Sequence, residues 1–298
     1  MTITRKPRLA IMGEFSAGKS TLTNLFLGQR PLPEKVTATR LAPVWIAKGQ
    51  KAPFRERLDG EHEQISLHNL DDVPVEDTRT IRMFFEADVL ELCDIIDFPG
   101  ISDPNMDAEV WQRVVEEVDV VLWCTHATQA WRQSESAAWA TIPPEVQARS
   151  FLLVTRFDKL ATDRDRNRVM ARIRHETKGK FAEVFPMQLL KALNAGDDIE
   201  AWEDSGAAAL LTQLGKSLSD FANGSPASAP SPVEGAENVT TLQPRPAEAN
   251  ISDIAPTKAE PEGKIAIRRV VPRRISSRGM ATAPKPRPDR PEHGYDAG

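Results

Sequence analysis

Gly13-Glu14-Phe15-Ser16-Ala17-Gly18-Lys19-Ser20 decides how this chain folds. It is a GxxxxGKS stretch, and its neighbours give it meaning. Residues 8–12, RLAIM, read as a buried strand. Residues 19–29 read as a helix, with Leu22, Leu25 and Phe26 on one face and Gly28 suited to its end. Strand, glycine-rich turn and helix together are the context of a phosphate-binding loop. Its glycines let backbone N–H groups curl around phosphate oxygens, and the helix N-terminus adds positive potential. Lys19 supplies a point charge for the β and γ phosphates. The Ser20 hydroxyl is a candidate Mg²⁺ ligand, with Thr21 beside it.

The chain continues to alternate outward from this loop. Pro31-Leu32-Pro33 forces an extended connection. Residues 41–47, 81–85 and 89–96 read as strands, the last running into Asp97. Residues 108–118 read as a helix, 119–124 as a strand and 134–142 as a helix. Then come a strand at 151–155, a charged helix at 164–176, a short strand at 184–187 and an amphipathic helix at 207–221. The alternation implies an α/β, three-layer P-loop NTPase fold, a mostly parallel sheet with helices on both faces.

The 298 residues would suggest two domains at about 150 residues each. The aromatics argue for one. All six Trp and all eleven Phe fall between Phe15 and Phe221, whereas 12 of the 23 prolines lie beyond residue 222. A segment without large apolar residues cannot bury enough surface to offset its ordering entropy. The expectation is one domain over residues 1–221 and a disordered tail over 222–298.

Other classes drop out. No apolar run approaches the roughly 20 residues of a membrane span. The N-terminus lacks the apolar core of a signal peptide. Cys93 and Cys124 sit in strand-like apolar runs and read as small buried hydrophobes in a reducing, cytoplasmic setting. Residues 1–222 carry 27 basic and 34 acidic side chains, net −7, which argues against general nucleic-acid binding. Residues 264–290 carry nine basic and one acidic side chain, the only basic cluster.

Two later motifs choose the nucleotide. Asp97-Phe98-Pro99-Gly100 ends an apolar run 78 residues after Lys19. There an Asp faces Mg²⁺, directly or through water, and the Gly100 N–H can bond a γ-phosphate. Thr155-Arg156-Phe157-Asp158 follows the strand FLLV. The Asp158 carboxylate can accept both N1–H and the N2 amino group of guanine. Adenine offers no such pair of donors, so the base is chosen by bidentate hydrogen bonding. Arg156 stands where Lys is commoner and can stack on the base in its place.

GEFSAGKSTLTN, DFPG and TRFD, in this order, resemble the GTPase head of the dynamin superfamily, more specifically bacterial dynamin-like proteins. The resemblance covers roughly residues 8–221. It implies a Mg²⁺-dependent GTPase in which Ser16 helps hold the catalytic geometry and a monovalent cation, K⁺ or Na⁺. It places a switch threonine at Thr39, with Thr37 as the alternative, and has Thr39 ligate Mg²⁺ and order the loop around the γ-phosphate. It puts the guanine-capping loop near residues 185–191, where Gln188 replaces the usual small polar residue. The catalytic set is then Ser16, Lys19, Thr39 and Gly100, and the metal set Ser20, Thr39 and Asp97.

Ile101 stands directly after the DFPG glycine, where Ras-like enzymes carry a water-orienting Gln. Slow basal turnover follows, raised by a homodimer or a related GTPase docking across the nucleotide. His126, Gln129 and Arg132 lie where a dimer loop could form. No long helical stalk follows Phe221, so the chain reads as a head without a stalk. Its basic segment is a solvated linker, a peripheral contact at the inner membrane face, or an RNA contact. A ribosome- or RNA-associated GTPase and a non-hydrolysing GTP-dependent binding module stay open as alternatives.

Overall fold

The first strand, β1 (Arg8–Gly13), lies in the interior of the sheet, and the phosphate-loop stretch leaves its C-terminal end. The structure is a computed structural model, and it describes residues 5–28, 42–67, 70–101 and 109–224. The residues around Thr37 and Thr39, and the tail beyond residue 224, lie outside the described residues.

In chain order, α1 (Lys19–Leu27) follows β1, then β2 (Val44–Lys48), β3 (Phe54–Arg57), β4 (His62–Gln64) and β5 (Thr78–Phe85). Next come α2 (Val89–Leu92), β6 (Asp94–Asp97), α3 (Glu109–Val115) and β7 (Val120–His126). Then α4 (Gln133–Trp139), α5 (Pro144–Gln147), β8 (Phe151–Thr155) and α6 (Asp163–Glu176). The described chain ends with β9 (Glu183–Pro186), α7 (Leu189–Asn194), α8 (Ile199–Asp204) and α9 (Ala207–Ala222).

The described strands form one sheet in the order β4-β3-β5-β2-β6-β1-β7-β8-β9. Five pairings are parallel. Three are antiparallel, β2 with β6, β3 with β4 and β3 with β5. Side chains of a strand alternate between faces, and here each face has its own core. Leu9 and Ile11 pack with Leu22, Leu25 and Phe26 of α1 and with Leu210, Leu214 and Leu218 of α9. Ala10 and Met12 pack with Trp111 and Val114 of α3, Trp139 of α4 and Ile173 of α6. Helices therefore cover both faces, as the alternation in the sequence implied.

The structure corrects several readings. Residues 89–96 are not one strand: Val89–Leu92 is a helical turn, and only Asp94–Asp97 pairs in the sheet. A short apolar run suits a buried helical turn as well as a buried strand. The hairpin β3–β4 and the helices α7 and α8 add elements that periodicity did not mark. Cys93 and Cys124 are buried free thiols, each pushed up to about 12 by burial, which keeps them inert.

Parallel pairing has one consequence for the site. β6, β1, β7, β8 and β9 run in one direction, so the loops leaving all five open on the same edge. In open α/β sheets, ligands bind in the crevice outside the carboxyl ends of the strands.

Candidate nucleotide site

The loop begins at Gly13, where φ is +137° and a Cβ would stand 2.1 Å from the carbonyl oxygen of Cys124 on β7. No side chain fits there. Ser16 adopts a left-handed φ of +58°, rare outside glycine. Gly18, also left-handed, caps α1. Ala17 is buried, whereas Ser16 and Phe15 are exposed. The Ala17 N–H donates to the Glu14 carbonyl at 3.2 Å, closing the turn. The buried Lys19 ammonium lies 2.8 Å from the Glu14 carbonyl oxygen and 3.2 Å from that of Gly13. The side chain is thus folded back along the loop. Ser20 and Thr21 occupy the first turn of α1, both half-buried.

The second motif lies directly beside this loop. Asp97 pairs in register with Ile11 of β1. Its carboxylate accepts a hydrogen bond of 3.1 Å from Thr23 of α1. Burial pushes its carboxyl up to about 6, with Lys19 and the Thr23 hydroxyl pulling the other way. A Cβ at Gly100 would stand 2.9 Å from the Cα and N of Phe15, so a bare glycine is what lets the two loops touch. Ile101 donates its N–H to the Gly13 carbonyl at 3.2 Å, a second tie between them.

The third motif closes the other side. The Thr155 hydroxyl lies 2.7 Å from the Ala17 carbonyl oxygen and 3.1 Å from that of Thr125. Arg156, left-handed at φ +52°, donates from its guanidinium to the Ser16 carbonyl at 3.0 Å. This differs from stacking alone, because the side chain also anchors the phosphate loop. Asp158 lies in the short turn after β8 with its side chain well exposed.

The capping segment joins the same edge. Met187 donates its N–H to Val154 and accepts from the Phe157 N–H. Leu189 of α7 approaches Gly18 closely enough that a Cβ there would stand 3.0 Å from its Cδ1. The Gln188 amide donates to the Asp204 carbonyl at 3.3 Å, tying that side chain to α8. His126 is held by its own turn, accepting from Thr128 at Nδ1, and Gln129 is exposed. Arg132 points instead to the phosphate loop, 2.9 Å from a Glu14 carboxylate oxygen. That contact spans 118 residues, and no motif announces it.

The donor set suits a hard divalent cation. Asp97 and Ser20 offer only oxygen, and no ion pair among the described residues engages the buried Asp97 carboxylate. Mg²⁺ is commonly held by one or two carboxylates together with substrate phosphates. The Ser16 carbonyl accepts from the Arg156 guanidinium, which brings a positive charge to the phosphate-loop stretch.

The family model described as Dynamin family matches residues 9–157, a span that holds the phosphate loop, DFPG and the first three residues of TRFD. The chain belongs to the dynamin family. Dynamin-like protein 2 of Campylobacter jejuni is 22% identical over 219 residues, covering 72% of this chain and 35% of that protein. The chain thus spans about a third of the length of the curated dynamin relative it matches. Two solved structures of an oligomerised bacterial dynamin pair, described for long-range sensing and tethering of membranes, align with TM-scores of 0.50 and 0.49. They are 20% and 19% identical, each over 73% of this chain and 36% of theirs. Residues 9–157 thus belong to a domain of the dynamin family. Among the described residues no helix is long and apolar enough to cross a membrane.

Proposed function

We propose that the chain binds GTP and hydrolyses it to GDP and phosphate as a nucleotide-dependent switch, with residues 1–221 as the GTPase unit. The observation that carries this reading is the convergence of DFPG and TRFD on the phosphate loop. Gly100 touches Phe15, while Thr155 and Arg156 bond the Ala17 and Ser16 carbonyls.

Each residue has a role in this reading. Backbone N–H groups of residues 13–21 and Lys19 cradle the phosphates, and Asp158 reads the guanine edge. Ser20, Asp97 and Thr39 would hold Mg²⁺, which when bound neutralises charge across the β and γ phosphates. The Gly100 N–H supports the γ-phosphate. Ile101 offers no group to orient water, so backbone N–H groups and Thr39 take that task, and basal turnover is slow. Phe15, 54% exposed on the loop itself, supports a second head docking across the nucleotide and raising turnover. The basic segment at residues 264–290 suits an anionic membrane surface, since each Lys or Arg near it contributes about 1 kcal/mol.

Competition against fluorescent GDP tests the nucleotide reading. GTP displaces the probe at concentrations where a hundredfold excess of ATP does not. Equal displacement by ATP contradicts it.

A further inference from the structure

A carboxylate in a loop built to bind phosphate opposes the ligand's charge unless something neutralises it. Glu14 is such a residue, and its side chain is only 12% exposed. One carboxylate oxygen accepts from Arg132 at 2.9 Å, and the other accepts from the Ser134 hydroxyl. Both partners stand at the start of α4. The Glu14 backbone carbonyl, in turn, accepts from Lys19 and from the Ala17 N–H. One residue therefore grips α4 with its side chain and the loop lysine with its backbone.

The far side of this grip is stiff. Glu135, 1% exposed, accepts from the Trp123 indole at 3.0 Å, the Thr125 hydroxyl at 3.0 Å and the Arg132 N–H at 2.8 Å. Thr125 also accepts from the Trp131 N–H at 3.0 Å. Trp123 meets Trp139 edge-on, with centroids 5.4 Å apart. Arg132 is thus presented by a buried polar network with several members, which fixes geometry more strongly than a lone surface pair.

We propose that Arg132 and Ser134 are positioning residues that act through Glu14, clasping the phosphate loop to α4 and cancelling the Glu14 charge beside the bound phosphates. The proposal rests on the nucleotide reading above. It makes the segment between β7 and α4 a lever on nucleotide affinity.

Affinity for fluorescent GDP and amide hydrogen exchange over residues 13–20 test it in the full-length chain. Arg132→Ala weakens GDP binding at least tenfold and speeds exchange of the loop amides. Adding Glu14→Gln removes the stranded charge and recovers most of the lost affinity, which a purely structural role for Arg132 would not produce. Arg132→Lys keeps the charge, holds affinity within about threefold of wild type, and stands in if the alanine variant fails to fold. Wild-type affinity in Arg132→Ala, or no recovery with Glu14→Gln, overturns the clasp. Absence of nucleotide binding by wild type contradicts the nucleotide reading instead. Exchange then decides the clasp alone, and unchanged loop exchange in Arg132→Ala overturns it.

Discussion

The Thr155 hydroxyl donates to the Ala17 carbonyl at 2.7 Å, tying the end of β8 to the phosphate loop across 138 residues of sequence. The hydroxyl is fully buried and lies between the Ala17 carbonyl of the loop and the Thr125 carbonyl of β7. TRFD and the phosphate-loop stretch are therefore one mechanical unit.

Thr155→Val keeps the shape and removes the donor to the Ala17 carbonyl. A buried acceptor left without its donor costs about 1–3 kcal/mol. The chain loses that much in chemical denaturation, and GTP and GDP both bind more weakly. Thr155→Ser restores the hydroxyl and most of both quantities.

Two glycines with positive φ separate backbone strain from steric clash. At Gly60 (φ +86°) an added Cβ meets nothing within 4 Å. Gly60→Ala costs about 1–2 kcal/mol, the penalty of a left-handed backbone. At Gly13 the same change drives a methyl into the Cys124 carbonyl, and the cost is about 4 kcal/mol or more. Thermal denaturation of the two variants side by side checks the difference.

Much of this site could be read in the sequence because its motifs sit at strand ends. The phosphate loop, DFPG and TRFD each follow an apolar strand, and parallel pairing brings those ends to one edge. The hairpin β3–β4 could not be read in this way. Its strands FRER and HEQ are polar and lie at the sheet edge, held by ion pairs such as Arg55 with Glu63 rather than by an apolar pattern. The Glu14–Arg132 pair was hidden for another reason. It depends on where α4 lands against the loop, which no local spacing encodes.

Asp97 gives a dependence on pH. Its carboxyl is raised from 3.8 to about 6, so the nucleotide-free fold holds that proton more tightly than the unfolded chain does. Stability from this group is gained as pH falls through that window and lost as pH rises, on the order of 3 kcal/mol in all. Asp97→Asn removes the buried charge. At pH 7.5 the variant is more stable than wild type without nucleotide, and the gap shrinks to about a third of that by pH 4.5 and closes only below the unfolded value of 3.8. The same variant loses the Mg²⁺-dependent tightening of GTP binding. Guanidinium unfolding at the two pH values, with and without Mg²⁺ and GTP, reads both effects.

In the proposed reading Asp158 selects the base. Asp158→Asn replaces an acceptor with a mixed donor and acceptor, which opposes guanine and suits the second carbonyl of xanthine. Affinity for GTP falls at least a hundredfold while affinity for xanthosine triphosphate rises. Competition binding of the two nucleotides measures the exchange.

Phosphate release from GTP tests the central claim most directly. Purified chain with Mg²⁺ releases phosphate from GTP slowly, not from ATP, with turnover per molecule rising as protein concentration rises, and Lys19→Ala abolishes it. Equal release from ATP, release that survives Lys19→Ala, or no release from GTP even at high protein concentration contradicts the account.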